Sequence, residues 1–299
     1  MKKKSLATAI LSIIAVLSLA ACATKDSNDS TDKKEKEVSA GEEAQNISNA
    51  DKAVAVLESL ESGDSDAIKK YIKANDYTQH NLTIPDGRQV MLDSLEQLKE
   101  AGTKVEVKRV LTDDDLVAVH SEYNLNGPKA GVDIFRFENG KIVEHWDNLQ
   151  ELVEKTPSGH TMLDGATQIT DEEKTEENKK LVKQFVEDVL MGKNPDKLTS
   201  YFDGDNYIQH NPSIADGLSG LGEALEGMAE QGIEMKYNQI HMVVGQGNFV
   251  LTVSEGTFGG EHTSYYDLFR VENGKIAEHW DVLENILPED QHKNNNGKF

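Results

Sequence analysis

The stretch DIFRFENGKIVEHWD at residues 133–147 returns almost unchanged as DLFRVENGKIAEHWD at residues 267–281. Of its 15 positions, 12 are identical in the two copies. A shorter pair lies upstream, YTQHN at 77–81 and YIQHN at 207–211. The spacing of about 130 residues between the copies is the size of a domain and far exceeds the roughly 20 to 50 residues of a solenoid unit. The sequence therefore predicts two tandem copies of one fold.

Each copy begins with helical periodicity and ends with strand periodicity. In the first copy, an apolar stripe that includes Val56 and Leu57 predicts a helix ending at Gly63, and a third helix is predicted over 88–101. Four segments of alternating polarity follow, separated by hairpin-type turns. The predicted fold class is α+β, with two tandem cone-shaped domains. Each has three N-terminal helices packed on a strongly curved, mainly antiparallel sheet.

The domain boundaries follow from the repeats and from changes in composition. We predict a first domain at 49–166, a linker at 167–175, a second domain at 176–290 and a polar C-terminal tail at 291–299. The end of the first domain, around His160, is expected to be an ordered tail that folds back on the first cone, with His160 as a packing or rim residue. A free linker is the alternative.

The N-terminus resembles a bacterial lipoprotein signal. Three lysines precede an apolar run that is too short to span a membrane comfortably, and the run ends in LAAC at 19–22. The resemblance implies a signal peptide at 1–21 and a lipidated Cys22 that anchors the protein to the outer face of the cell membrane. An ordinary secretory signal or an uncleaved anchor is the alternative. Residues 22–48 hold almost no large apolar side chain, which predicts a disordered tether.

Charge and cysteine content exclude several classes of protein. The chain has 53 acidic and 31 basic residues and a formal net charge of −22, so nucleic acid is not an expected partner. Cys22 is the only cysteine. A disulfide framework and a thiolate metal site are therefore excluded as well.

The last strands of each copy carry the residues best suited to chemistry. A period of two places His145 and Asp147 on one face of a strand and Trp146 on the other, while Asp133 precedes them on the neighbouring strand. The same alternation recurs in the second copy. A carboxylate at the mouth of an apolar cone is poorly solvated, which raises its pKa and makes it a better proton acceptor near neutral pH.

Three motifs resemble the SnoaL-like polyketide cyclase family of the nuclear-transport-factor-2-like superfamily. They are QHNPSIADG at 209–217, LVAVHS at 116–121 and the repeated 15-residue stretch. The resemblance extends over about residues 50–152 and 176–286. It implies an α+β cone with an open mouth, a pocket for a small, partly apolar carbonyl compound of unknown identity, and no cofactor.

The resemblance also implies site residues. Asp147 and Asp281 would be catalytic bases, with His145 and His279 as their catalytic neighbours, in a proton transfer of the aldol, cyclase, isomerase or lyase type. The ligand-binding set that it implies is His80, His120, Asp133, Trp146, His210, Asp267 and Trp280. Val253 stands where the first copy has His120, so the first pocket is expected to keep the fuller set of polar groups.

Other functions remain open from the sequence. Histidines and acids of these types could bind a metal, but no His-x-x-x-His or His-x-His pair places two ligands on one element, so no metal site is predicted. The repeated Glu-Asn-Gly-Lys-Ile is typical of a hairpin, and the neighbouring His and Asp could merely stabilise strand ends. The chain could also be a non-catalytic extracellular binding module whose cones pair face to face across their sheets, within one chain or in a homodimer.

Overall fold

The computed structural model describes residues 47–299, and the first helix of the first cone begins at Asn49. Its elements are α1 (Asn49–Ser62), α2 (Asp66–Tyr71), β1 (Thr78–Gln79), α3 (Arg88–Glu100), β2 (Lys104–Asp113), β3 (Leu116–Asn124), β4 (Pro128–Glu138) and β5 (Lys141–Glu151). The Ser48 side chain caps α1 by accepting a hydrogen bond from the Asp51 N–H, and Gly63 ends the helix in the left-handed conformation. The predicted signal peptide, Cys22 and the predicted tether up to residue 46 lie outside the described residues.

The second cone repeats this order. Its elements are a 3₁₀ turn (Glu172–Lys174), α4 (Thr175–Phe185) with a π-helical extension (Val186–Leu190), a 3₁₀ helix (Pro195–Tyr201), β6 (Ile208–Gln209), α5 (Gly217–Glu230), β7 (Met235–Gln246), β8 (Phe249–Phe258), β9 (Glu261–Glu272) and β10 (Lys275–Asn285). A last 3₁₀ turn (Glu289–Gln291) follows. No helix in the described part of the chain is long and apolar enough to cross a membrane.

The two sheets have the same topology. Their strand orders are β1-β5-β4-β3-β2 and β6-β10-β9-β8-β7. The short strands β1 and β6 pair in parallel with β5 and β10, and all other neighbours are antiparallel. Irregular pairing between Val107 and Arg109, and between Arg136 and Phe137, adds the local bends that curve the first sheet around its helices. The predicted α+β fold with two tandem domains is confirmed.

Both faces of each sheet are buried. The inward faces pack against the helices of their own copy and form one apolar core per cone. The outward faces pack against each other, and a third core contains Ile134 and Trp146 from the first sheet with Leu268 and Trp280 from the second. Buried Asn148 joins the sheets, because its Nδ2 donates to the carbonyls of two residues in the second sheet, at 3.0 and 2.9 Å. The strand alternation thus gives each sheet one face for a pocket and one for pairing.

Candidate active sites in the two cones

Three polar side chains meet inside the second cone. Asp267 lies on β9, and His279 and Asp281 lie on β10 at alternate positions, so the pleat directs all three inward. His279 Nε2 lies 3.1 Å from Asp267 Oδ1. Asn211 Nδ2 donates to Asp281 Oδ2. All three side chains are buried.

Gln209 determines which nitrogen of His279 carries a proton. Its Oε1 accepts the backbone N–H groups of His210 and Asn211 at 3.0 Å each, so this atom must be the amide oxygen. His279 Nδ1 lies 2.9 Å from the same oxygen and therefore carries a hydrogen. His279 Nε2 then faces the Asp267 carboxyl group, and a proton must lie between them. The two side chains act as one proton-sharing pair.

Two tyrosines complete the polar floor of the second cone. The Tyr237 hydroxyl donates to Asp267 Oδ1 at 3.1 Å. The Tyr207 hydroxyl accepts from Gln209 Nε2 at 3.1 Å, and no described residue accepts its proton. Burial, together with the nearby Asp281 and Asp267, raises the pKa of Tyr207 well above its ordinary value, so the hydroxyl stays protonated. Tyr207 is therefore a free donor at the floor.

These groups border a cavity of about 510 Å³ in the second cone. Its aromatic walls are Phe185, Tyr207, Tyr237, Phe258, Tyr265 and Phe269. Two carboxylate oxygens of the cavity lining, Asp267 Oδ2 and Asp281 Oδ1, are buried without a hydrogen-bond partner. Burial raises the pKa of Asp281 to about 6, with Asp267 adding to the effect and His279 opposing it. The floor thus offers a carboxylate that can take up a proton near neutral pH.

The first cone holds the same set with one exchange. His145 Nε2 lies 3.0 Å from Asp133 Oδ1, and Asn81 Nδ2 donates to Asp147 Oδ2 at 2.8 Å. The hydroxyl that donates to Asp133 belongs to Tyr123 on β3. In the second cone the corresponding donor, Tyr237, lies on β7, which is the counterpart of β2. Burial raises the pKa of Asp133. Burial is the largest single influence on His145 and opposes its charge, but the hydrogen bond with Asp133 and the charges of Asp147 and Asp133 together outweigh it and raise the pKa of His145.

The third helix of each copy decides how much space remains. In α3, Leu95 is only 3% exposed and Leu92 packs on the first core. The corresponding positions of α5 are Leu225, which is 40% exposed, and Gly222, beside which a side chain would meet open space. Helix α3 therefore packs more apolar side chains into the first cone, called the closed cone below, than α5 packs into the second, the open cone, which borders the cavity.

Four residues that the sequence predicted in the pockets lie on the opposite faces of the sheets. His80 stacks on Trp146 and His210 stacks on Trp280, each with 4.7 Å between ring centres. The two tryptophans belong to the core between the sheets. The prediction that these four residues bind ligand in the pockets is wrong, because each is one residue out of phase with the inward-facing side chains.

His120 also lies outside the pocket. Arg109 Nη1 lies 3.3 Å from His120 Nδ1 on the outward face of the first sheet. Burial, with Arg109 and His210 nearby, lowers the pKa of His120 well below its ordinary value, so the ring stays neutral. The exchange of His120 for Val253 therefore changes the interface between the sheets. The prediction that His120 lines the first pocket, and that this pocket keeps the fuller polar set, is wrong.

The comparison with known families agrees with this geometry. A family model described as "SnoaL-like domain" matches residues 53–145 and again 182–279, which together are more than half of the chain. The chain belongs to the SnoaL-like domain family. Both predicted copies are thereby identified as SnoaL-like domains.

Several solved structures are similar to about a third of this chain at low identity. A SnoaL-like polyketide cyclase from Agrobacterium tumefaciens is 15% identical over 35% of this chain and 92% of that one, with a TM-score of 0.30. An NTF2-like protein of unknown function from Cytophaga hutchinsonii is 16% identical over 36% and 94%, with a TM-score of 0.31. TsrD from Streptomyces laurentii is 13% identical over 33% and 88%, with a TM-score of 0.29. No curated protein sequence matches the chain.

The inward-facing sets also contain the donor types that bind metals. One atom from each of Asp267, His279 and Asp281 lies within 4.8 Å of the others, and the first SnoaL-like domain repeats this arrangement. The proton shared by His279 and Asp267 accounts for the closest of these approaches without a metal. The absence of a metal site stays a prediction.

Sequence reasoning missed the residues that fix these groups. In the repeated motif at 77–81, the side chains of Tyr77, Gln79 and Asn81 lie inside the first cone, and that of His80 lies on the outer face of the sheet. A period of two applied to this motif predicts that division. Tyr123 and Tyr237 carried no such signal, because they occupy different positions in the two copies.

The segments that follow the two sheets are also related in sequence, and this relation was not predicted. Residues 160–165 read HTMLDG and residues 292–297 read HKNNNG, which share a His, an Asp or Asn four residues later, and a Gly. The first segment contacts the second domain, where His210 Nδ1 lies 2.8 Å from the Thr161 carbonyl. The first domain also holds it through Arg109, which donates to the Leu163 carbonyl at 3.1 Å. The segment thus lies across both domains rather than on the first cone alone.

The C-terminal segment crosses in the other direction. His80 Nδ1 lies 2.9 Å from the Gly297 carbonyl, and Asn294 Nδ2 donates to the Asn81 carbonyl at 2.8 Å. The predicted polar tail at 291–299 therefore lies against the first domain. The two SnoaL-like domains exchange their tails.

Replacing Asp281 by Asn should stabilise the protein at neutral pH, because it removes a buried charge. Burial raises the pKa of Asp281 from its ordinary 3.8 to about 6. The folded protein therefore binds more protons than the unfolded chain between about pH 4 and pH 6, and its stability falls as the pH rises through this window. Urea unfolding at pH 7.5 should give a free energy of unfolding roughly 2 to 3 kcal/mol higher for Asp281→Asn than for the wild type.

The gain should disappear at pH 4, where the wild-type carboxyl group is protonated in the folded state. The exposed Asp196 provides a matched control, and Asp196→Asn should change stability little at either pH. An equal gain for Asp281→Asn at both pH values would show that the buried charge is not its cause.

Proposed function

We propose that the second SnoaL-like domain binds a small, partly apolar carbonyl compound and that Asp281 removes a proton from the carbon next to the carbonyl group. The observation that carries this proposal is the unpartnered, buried Asp281 Oδ1 at an apolar cavity of about 510 Å³. A carboxylate with a pKa of about 6 is ionised at pH 7 and is a stronger base than an exposed one.

Tyr207 is suited to stabilise the enolate that proton removal creates. Its hydroxyl lies at the cavity floor and is oriented by the hydrogen bond from Gln209 Nε2. Its own proton is free to donate to the carbonyl oxygen, on which negative charge develops in the transition state. A base and an oriented donor on one floor can promote aldol, cyclase or isomerase chemistry without a cofactor.

The activity is assigned to the second domain because its cone is open. The first domain has Asp147 at the position of Asp281, but α3 packs more apolar side chains into that cone and buries Leu95. A structural role for the first domain, as the sheet on which the second one packs, is consistent with the core shared by both.

Proton exchange into a simple ketone tests this proposal directly. With 2-tetralone in D₂O, the full chain should accelerate the loss of the α-proton signal in ¹H NMR above the buffer background. Asp281→Asn should lower the accelerated rate by about a hundredfold or more, because a general base typically contributes that much. The rate should rise with pH through about 6 and level off above 7, as Asp281 ionises.

Asp147→Asn is the matched control, since it changes the same position in the closed cone, and it should retain most of the rate. If the wild type gives no exchange above background, or if Asp281→Asn exchanges as fast as the wild type, Asp281 is not a catalytic base. The open cone would then be a binding site without proton transfer.

We also propose that the chain is a lipoprotein anchored at Cys22 on the outer face of the cell membrane. The run LAAC at 19–22, after a short apolar stretch with three preceding lysines, supports this. Cys22→Ser should remove the protein from the membrane fraction or stop its processing. If Cys22→Ser is found in the membrane fraction to the same extent as the parent protein, the proposal of a lipid anchor at Cys22 is contradicted.

A further inference from the structure

The cavity of the second domain contains negative charge and no fixed positive partner for it. Among the described residues that line it are Asp267 and Asp281, one histidine and no lysine or arginine. The proton shared with His279 already offsets the charge of Asp267. The charge of Asp281 has no such partner, and its Oδ1 accepts no hydrogen bond. A buried, unpaired carboxylate is costly unless a ligand supplies the missing charge.

In the first domain the matching oxygen, Asp147 Oδ1, also accepts no hydrogen bond, but a cationic side chain lies near it. Lys298, at the end of the exchanged C-terminal tail, is buried, and its Nζ lies 4.0 Å from Asp147 Oδ1. The same ammonium group donates to the Asp147 carbonyl at 2.7 Å and to Glu284 Oε1 at 3.0 Å. A primary ammonium thus sits beside the carboxylate of the closed cone.

The second domain lacks this ammonium group and also the acid that holds it. When the two tails are aligned on their shared glycines, Gly165 and Gly297, the position of Lys298 is taken by Ala166. The position of Glu284 is taken by Gln150, an uncharged residue that lines the open cavity. At these two aligned positions the second domain has neither a lysine nor an acid, and Gln150 borders the open cavity.

The walls of the cavity suit a cation with an apolar body. Tyr207, Tyr237 and Phe269 surround the floor on which Asp267 and Asp281 lie. Aromatic faces attract ammonium groups, by about 0.5 to 2 kcal/mol per contact depending on solvation. An anion would meet unpaired carboxylate oxygens, and none of the described residues that line the cavity is a lysine or arginine that could offset their charge.

We propose that the ligand of the second domain is an organic cation, a primary or secondary ammonium on a largely apolar body, held at Asp281 and Asp267 in the place that Lys298 takes in the first domain. This proposal rests on the proposed function in placing the ligand in the same cavity.

Binding of three probes with one aromatic body tests the charge preference. The probes are 2-naphthylmethylammonium, the uncharged 2-naphthylmethanol and the anion 2-naphthoate, titrated calorimetrically into the full chain at pH 7.5. The ammonium should bind at least about tenfold more tightly than the alcohol, which corresponds to one charge-assisted contact. The naphthoate should bind more weakly than either. Asp281→Asn should abolish the preference for the ammonium, and Asp147→Asn should leave it unchanged.

Equal binding of the ammonium and the alcohol, tighter binding of the naphthoate, no binding of any probe, or a preference that survives Asp281→Asn would overturn the proposal. The ammonium probe has no carbonyl group, so its binding does not depend on proton transfer. Failure of this binding test can therefore be told apart from failure of the proton-exchange test.

Discussion

The alternation of side chains along each strand is the constraint on which the rest of the structure depends. Each sheet is buried on both faces, so every strand must serve a cone with one set of residues and the partner sheet with the other. His145 and Trp146 are neighbours in sequence, yet one meets Asp133 inside the cone and the other packs between the sheets. A one-residue shift in the register of the strand would turn Trp146 into the cone and His145 towards the partner sheet. The position of the candidate site and the packing of the two domains therefore depend on the same register.

Much of the fold could be predicted from the sequence, because its signals are local. The repeated stretches predicted the two copies, and periodicity with turn residues predicted the helices and the antiparallel strands, but not the parallel pairing of β1 with β5 and of β6 with β10. The site was predicted only in part. Asp133, His145 and Asp147 meet as their alternation requires, whereas the pocket roles of His80 and His120 came from the family resemblance, which does not take into account the face on which each side chain lies. The exchanged tails could not be predicted, since the contact of Asn294 with Asn81 joins positions more than 200 residues apart in segments without regular structure.

The two copies share a fold but have diverged in opposite directions. In the first, α3 buries Leu95, and the C-terminal tail brings Lys298 to Asp147. The Oδ1 atoms of Asp147 and Asp281 both lack a hydrogen-bond partner, but in the second copy Leu225 is exposed and none of the described residues that line the cavity beside Asp281 is a lysine or arginine. Polar groups left unpaired in a native interior are expected at functional sites, where they reduce stability. The open copy therefore carries the features of a site, and the closed copy those of a scaffold.

The ionisation of Asp281 tests this distinction most directly. ¹³C NMR of the aspartate carboxyl carbons, with the Asp281 signal assigned by its loss in Asp281→Asn, follows that group through a pH titration of the full chain. Because the carboxyl group is buried beside an open cavity without a cationic partner, its midpoint should lie near pH 6. A midpoint at or below about pH 4, the value of an ordinary solvated aspartate, would contradict the account of the second cone as a site that holds an unpaired base.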